Sequence, residues 1–245
     1  MARSTHLSLH IHKDPDAMAE RAAHFLAEYC EEAIADHGIF TLALSGGATP
    51  IPLYRLLARS DWAERLPWEK IVVYWGDESC VPPEDPRSNY GIARRELLNH
   101  VPVTWYYRMK GERNPVEEAQ AYEDMIREHF RLAPGEFPRF DCILLGLGAD
   151  GHVASLFPGE HGILERERIV IDQFVHARGI DRLTMTLPVL NNARCCMFLV
   201  AGKEKHEVLS RSLNLLEEPE LPAQFVRPSI GDLIWIVDEG AALGK

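Results

Sequence analysis

The stretch Cys142–Gly159, CILLGLGADGHVASLFPG, sets a histidine and an aspartate inside a glycine-rich turn. Gly146-Leu147-Gly148-Ala149-Asp150-Gly151 spells G-x-G-x-x-G directly after an apolar run, and His152 follows at once. An imidazole changes protonation near neutrality, with an unperturbed pKa of about 6.5, and so can act as general base and then general acid. Asp150, two residues away, can orient it or merely stabilise the turn. The same glycines are also the fingerprint of a dinucleotide-binding turn, which needs a long helix after the third glycine and an acid about 20 residues on. The acid is present as Asp172, which ends RIVID. The helix is not: Pro158-Gly159 limits it to roughly six residues, too short for a standard crossover. The motif also falls past the middle of the chain, leaving little for a second half-site. The glycines therefore serve a tight turn that lifts Asp150 and His152 over a sheet edge, with a short helix behind it.

Two other clusters carry chemistry. In LALSGGATPIPLYRLL a strand ends, Ser45, Gly46 and Gly47 turn the chain, and Thr49-Pro50 leads into a short helix. Backbone N–H groups in such a turn can converge on a phosphate, and glycines allow close approach. No Gly-Lys-Ser/Thr follows, so it is not a Walker loop; an ordinary strand-to-helix turn is the alternative. In VYWGDESCVPPEDPRSNYGIARREL, Asp77 stands at a strand tip, where a carboxylate can accept from a sugar hydroxyl or act as a base. Arg87, Ser88 and Asn89 then enter a helix, and Ser88 reads equally well as its cap. His6, His10 and His12 share one side of an alternating strand, and an exposed strand face explains them better than a metal site.

Strand-like and helix-like segments alternate along the chain. HLSLHI, IFTLAL, IVVYW, FDCILLGL, RLTMTL (Arg182–Leu187), CCMFLVAG and DLIWIV read as strands. Helices are expected over Asp14–Ala35, with Met18, Ala22, Phe25, Leu26 and Tyr29 on one face and Gly38 closing it, and over Ser88–Leu98, Val116–Phe130 and Lys205–Leu215. Such alternation implies an α/β fold, a mostly parallel sheet with helices on both faces, whose ligands bind beyond the carboxyl ends of the strands. The clusters after Leu44, Trp75 and Leu145 lie at such ends, and Lys203 just past a fourth. With 245 residues, 46% of them hydrophobic, no repeat and no linker, residues 1–245 are expected to form a single domain.

A net charge of −11 without a dense Lys/Arg run excludes nucleic acid and anionic membranes as partners. An anionic small molecule would need concentrated local positive charge. No apolar run approaches the ~20 residues of a membrane span, and the N-terminal MARSTHLSLHIHK lacks the apolar stretch of a signal peptide, so a cytoplasmic location is expected. Five cysteines, an odd number with no C-x-x-C, argue against disulfides and zinc and for small buried thiols in a reducing compartment. The residues leave the oligomeric state open, with a monomer favoured.

LSGGATP, WGDESCVPP…RSNYGIAR, LLGLGADGHVASLFPG and RLTMTLPVLNNA…FLVAGKEK together resemble the 6-phosphogluconolactonase family, in order and along nearly the whole chain. The resemblance implies a modified Rossmann-like fold without a nucleotide or other cofactor, and a sugar-phosphate lactone as substrate: hydrolysis of 6-phospho-D-glucono-1,5-lactone to 6-phosphogluconate. It implies that Ser45, Gly46, Gly47 and Thr49 cradle the phosphate with Arg182 and Lys203 near it, that Asp77 meets the sugar, and that His152 is the catalytic base. The wider superfamily also holds glucosamine-6-phosphate isomerase/deaminase, in which an Asn-Glu-Pro segment after the histidine supplies a glutamate for ring opening. Here that place reads Leu156-Phe157-Pro158, without a carboxylate. The family's Asp-Glu-Arg is Asp77-Glu78-Ser79 in this chain, and Arg87 of the same loop is the residue that would reach back to compensate. The competing expectations are a sugar-phosphate isomerase or deaminase, which needs a second acid near His152, a non-catalytic sugar-phosphate sensor, and a dinucleotide enzyme.

Overall fold

The computed structural model describes residues 6–214 and 219–245. In chain order these form β1 (His6–His12), α1 (Pro15–His37), β2 (Phe40–Leu44), α2 (Ile51–Leu57), α3 (Ser60–Ala63), β3 (Ile71–Trp75), β4 (Asp77–Ser79), α4 (Asn89–Glu96), β5 (Trp105–Tyr106) and α5 (Pro115–His129). There follow β6 (Cys142–Gly146), β7 (Val170–Val175), β8 (Ile180–Met185), α6 (Leu187–Asn192), β9 (Cys195–Val200), α7 (His206–Leu213), β10 (Asp232–Asp238) and α8 (Glu239–Leu243). Leu215, expected to close the helix before β10, and the first five residues lie outside the described residues.

A seven-stranded sheet in the order β1-β10-β9-β6-β2-β3-β5 is parallel throughout. Its strands are apolar at successive positions because both faces are covered. Leu42, Leu44, Leu144, Met197 and Ile236 enter the core built with α1, α2 and α4. Their strand neighbours Ala43, Leu145, Phe198 and Trp235 enter a second core with α5, α6 and α7. This is the period-two alternation of a strand serving two apolar layers at once. The expected α/β architecture with helices on both faces is therefore present. Helix α1 starts where Asp14 accepts from the Ala17 N–H at 2.8 Å and Pro15 follows, and it ends at Gly38, whose φ of 91° few other residues adopt. No helix among the described residues is long and apolar enough to cross a membrane.

Three sequence expectations need correction. RLTMTL does not extend the parallel series. Its first four residues lie in β8, which pairs antiparallel with β7 and with β4 in a separate three-stranded sheet, and its last two cap and open α6. Only the turn 176–179 joins β7 to β8, and so short a link cannot bring a strand back parallel. Second, the short helix after His152 is a compact turn closed by a Val153–Leu156 bridge, because Ala154 takes a positive φ of 48° that breaks any helical run. Third, the outer face of β1 is the apolar one. Leu7, Leu9 and Ile11 are 47%, 42% and 49% exposed. His10 and His12 are half-buried, and the His10 ring stands edge-on to Phe25 of α1 at 5.1 Å. Burial, then the charge of Arg21, lowers the pKa of both imidazoles. Cys30, Cys142, Cys195 and Cys196 are buried and Cys80 half-buried, all as free thiols.

Candidate active site

The carboxyl ends of β2, β6 and β9, together with β4 and β8, surround one cavity of about 940 Å³. The turn after β2 forms its first wall. Tyr54 of α2, fully buried, donates to the Ser45 carbonyl at 2.5 Å and accepts from the Ser45 N–H at 3.2 Å, which fixes where the turn leaves the sheet. Gly47 has a φ of 80°. A Cβ on Gly46 would lie 1.8 Å from Asn89 Oδ1, so only glycine fits there. Ser45, Gly46, Gly47 and Thr49 all line the cavity.

The floor is a polar knot around Asp77, which is 5% exposed. Its Oδ1 accepts from Asn89 Nδ2 at 3.0 Å, and its Oδ2 from the Ser155 hydroxyl at 2.7 Å and Arg182 Nη2 at 2.5 Å. Arg182 Nε donates to Ser155 Oγ at 2.6 Å and Nη1 donates to the Ser79 hydroxyl, which in turn donates to the Arg87 carbonyl at 2.9 Å. The small sheet explains the meeting: Ser79 is the direct partner of Arg182 in the β4–β8 ladder. Below lies Glu78, 2% exposed, which accepts from the N–H groups of Ser79, Asn89 and Tyr90 at 2.7, 2.7 and 2.8 Å and holds the start of α4. Burial pushes its carboxyl up to about 7, against the pull of those N–H donors. Ser88 does cap α4, accepting from the Gly91 N–H at 3.0 Å.

The third wall carries the histidine. The Gly148 N–H donates to the His152 carbonyl at 2.9 Å, and Gly151, with a φ of 82°, lets the chain reverse. Asp150 Oδ1 sits 2.5 Å from His152 Nδ1, and the imidazole lies nearly parallel to the Phe157 ring with centroids 4.1 Å apart. Burial works to raise the Asp150 carboxyl, but the hydrogen bond and charge of His152 outweigh it and hold it at about 2. An ionised carboxylate accepts only, so a neutral His152 carries its proton on Nδ1 and keeps its lone pair on Nε2.

Of the residues singled out from the sequence, Ser45, Gly46, Gly47, Thr49, Asp77, Arg87, His152 and Arg182 line this one cavity, and Asp150 touches it through His152. Arg87 is bound to Asp85 through Nε at 2.9 Å and Nη2 at 2.8 Å, while Arg182 is the guanidinium that reaches Ser79. Lys203 is exposed and is not among the lining residues. Lys205, two positions on, is, and its Nζ donates to the Leu147 carbonyl at 2.7 Å. Gly202, at a φ of 100°, sends the chain into a 3-10 turn over Lys203–Lys205, which decides which lysine faces inward. Asn89, Ser155, Arg178 and Lys205 are the lining or adjoining polar residues that sequence reasoning missed.

The sequence profile described as glucosamine-6-phosphate isomerases/6-phosphogluconolactonase matches residues 13–235. The chain is similar to the 6-phosphogluconolactonase of Synechocystis sp., 41% identical over 228 residues that cover 91% of this chain and 92% of that one. It is 38% identical to the protein of the same name from Nostoc sp. over 232 residues, covering 93% and 94% of the two chains. Among solved structures, 6-phosphogluconolactonase from Trypanosoma cruzi superposes with a TM-score of 0.85 at 28% identity, over 98% of this chain and 97% of that one.

Proposed function

The chain belongs to the glucosamine-6-phosphate isomerase/6-phosphogluconolactonase family, and from that premise we propose that it hydrolyses 6-phospho-D-glucono-1,5-lactone to 6-phosphogluconate, the second step of the oxidative pentose phosphate pathway. The observation that carries this reading is that His152, oriented by Asp150, opens onto the same cavity as the turn Ser45–Thr49.

The lactone is an activated ester, so it needs neither a metal nor a covalent nucleophile. His152 Nε2 takes a proton from water as the water oxygen bonds to C1. The resulting oxyanion is met by backbone N–H groups of the glycine turns. Collapse breaks the bond between C1 and the ring oxygen, and His152 returns its proton to that oxygen. The new carboxylic acid ionises into solvent. General acid–base help of this kind is worth about 10²–10⁴ in rate. The turn Ser45–Thr49, with Lys205, holds the phosphate and so fixes C1 over the imidazole. Asp77 keeps one lone pair, on Oδ1, for a sugar hydroxyl beyond those it gives Asn89, Ser155 and Arg182.

A second carboxylate, in the segment after the histidine, would favour aldose–ketose isomerisation. Leu156 and Phe157, 0% and 5% exposed, fill that place with apolar groups, which supports the lactonase. Two cores sharing one sheet support a single domain over residues 1–245. Five free thiols suit a reducing cytoplasm. The test is a coupled turnover assay with freshly made lactone, wild type beside His152→Asn. Wild-type turnover with a loss of at least 100-fold in the folded variant is expected; equal rates remove the histidine mechanism. Ammonia release from glucosamine 6-phosphate would move the chain to the deaminase side.

A further inference from the structure

Four side chains with permanent positive charge line the cavity, and three are engaged. Arg182 is bound to Asp77, Ser155 and Ser79, Arg87 to Asp85, and Lys205 gives one of its three N–H groups to the Leu147 carbonyl, keeping the others for a ligand. Arg178 is different. Among the described residues its guanidinium has no hydrogen-bonding or ion-pair partner, yet it lines the cavity alongside Ile180 and Arg182 from the same hairpin. It stands at the β7–β8 tip, in a turn closed by Arg178 N–H and Gly179 N–H, both donating to the Val175 carbonyl at 3.0 and 2.9 Å. His176, Ala177, Arg178 and Gly179 are all exposed, so no packing fixes the side chain in place. Carboxylates of Asp77, Glu204 and Asp238 also face the cavity, in a chain whose net charge is −11. In number the three engaged cations only balance those three carboxylates, so Arg178 is the cation in excess.

We propose that Arg178 is a substrate-binding residue, a rim cation that swings from the hairpin tip onto the phosphate of the bound sugar and sets the preference for phosphorylated over neutral lactones. The proposal rests on the lactonase reading for its substrate but not for its anion chemistry. A cavity of about 940 Å³ is at the upper end of small-molecule sites, which leaves room for a side chain to fold in behind the ligand. A guanidinium suits the task because its planar fork matches two phosphate oxygens.

The experiment compares wild type, Arg178→Gln and Arg178→Lys. Arg178→Gln is expected to raise KM for the phosphorylated lactone, and the inhibition constant of 6-phosphogluconate, by ~10-fold, the size of one solvent-exposed charge-assisted contact. Its kcat should fall far less, and its penalty on unphosphorylated glucono-1,5-lactone should be much smaller. Arg178→Lys should recover part of the loss. Raising the salt should shrink the gap between wild type and Arg178→Gln, since the contact is exposed. Unchanged KM and inhibition constant in a folded Arg178→Gln overturn the proposal, as does an equal loss on the neutral lactone. If wild type does not turn over the lactone at all, the lactonase reading fails by itself. Calorimetric titration of wild type and Arg178→Gln with 6-phosphogluconate then decides Arg178 separately, equal affinities counting against it.

Discussion

Phe157 lies under the imidazole of His152, the two ring planes 22° apart and their centroids 4.1 Å from one another. With Nδ1 turned onto Asp150, the imidazole has an edge and a face fixed, and only its position along the cavity is left to the backbone. Phe157→Leu keeps most of the buried volume and removes the flat support. We expect kcat to fall ~10-fold with KM nearly unmoved, read by steady-state kinetics. An unchanged kcat would mean the hydrogen bond to Asp150 alone holds the ring.

Asp150→Asn replaces an acceptor by an amide that can present either end to Nδ1. Where the NH₂ faces the ring, the proton moves to Nε2 and the lone pair needed for water is lost. A drop in kcat of ~10²-fold or more is expected with the fold intact. Circular dichroism and turnover on one preparation check both halves of the statement.

Gly148 is the backbone the imidazole rests against. A Cβ there would lie 1.9 Å from His152 Nδ1 and 2.6 Å from Asp150 Oδ1. Gly148→Ala must therefore push both side chains away. The expected outcome is activity reduced at least ~100-fold, since misplacement of about 1 Å already costs that much, with Tm lowered by only a few degrees. Retained activity would show that the turn can shift without disturbing the dyad.

Lys205 and Lys203 differ in where they point, and two variants separate them. Lys205→Met should raise KM by ~10-fold or more, since it removes a cation from the cavity. Lys203→Met should behave as wild type, because its amine is exposed and outside the lining. The reverse result would transfer the phosphate contact to Lys203.

Glu78 makes stability fall as pH rises. Its carboxyl, ordinarily near 4.5, is pushed up to about 7 by burial. Between those values the unfolded chain has released a proton that the folded one keeps, so stability is greatest below about 4.5, declines through the window and levels off above 7. The full effect is of order 3 kcal/mol, or ~5–10 °C in Tm for a chain of this size. Glu78→Gln has no proton to lose, so its Tm relative to wild type should improve steadily from pH 4.5 to 8. A constant difference would show that the N–H groups of Ser79, Asn89 and Tyr90 keep Glu78 ionised throughout.

Much of this was legible because local rules suffice for it. Asp14, Pro15 and Gly38 bracket α1 as capping chemistry requires, and the apolar runs Phe40–Leu44 and Cys195–Val200 could only be strands covered on both faces. The glycine turns fell where strands end, so Ser45–Thr49 and Asp150–His152 could be placed on one rim. What was not legible depends on pairing at a distance. Nothing in RLTMTL says that its neighbour is Asp77–Ser79, and without that pairing Ser155 looks like an ordinary turn serine. The choice between Lys203 and Lys205 hangs on one glycine dihedral. Alternation in β1 separates His10 from Leu9, but it cannot tell which side α1 will cover.

One guanidinium, that of Arg182, ties the turn after β6 to the small sheet, joining Ser155 to Asp77 and Ser79. Swinging that turn away would break the bonds of Ser155 to Arg182 and to Asp77 together, so the floor resists opening. The hairpin tip over residues 176–179 is exposed and borders the cavity at Arg178. Solvent-exchange measurements should find amide hydrogens slow at Thr184, in the middle strand of the small sheet, and faster at exposed Arg178.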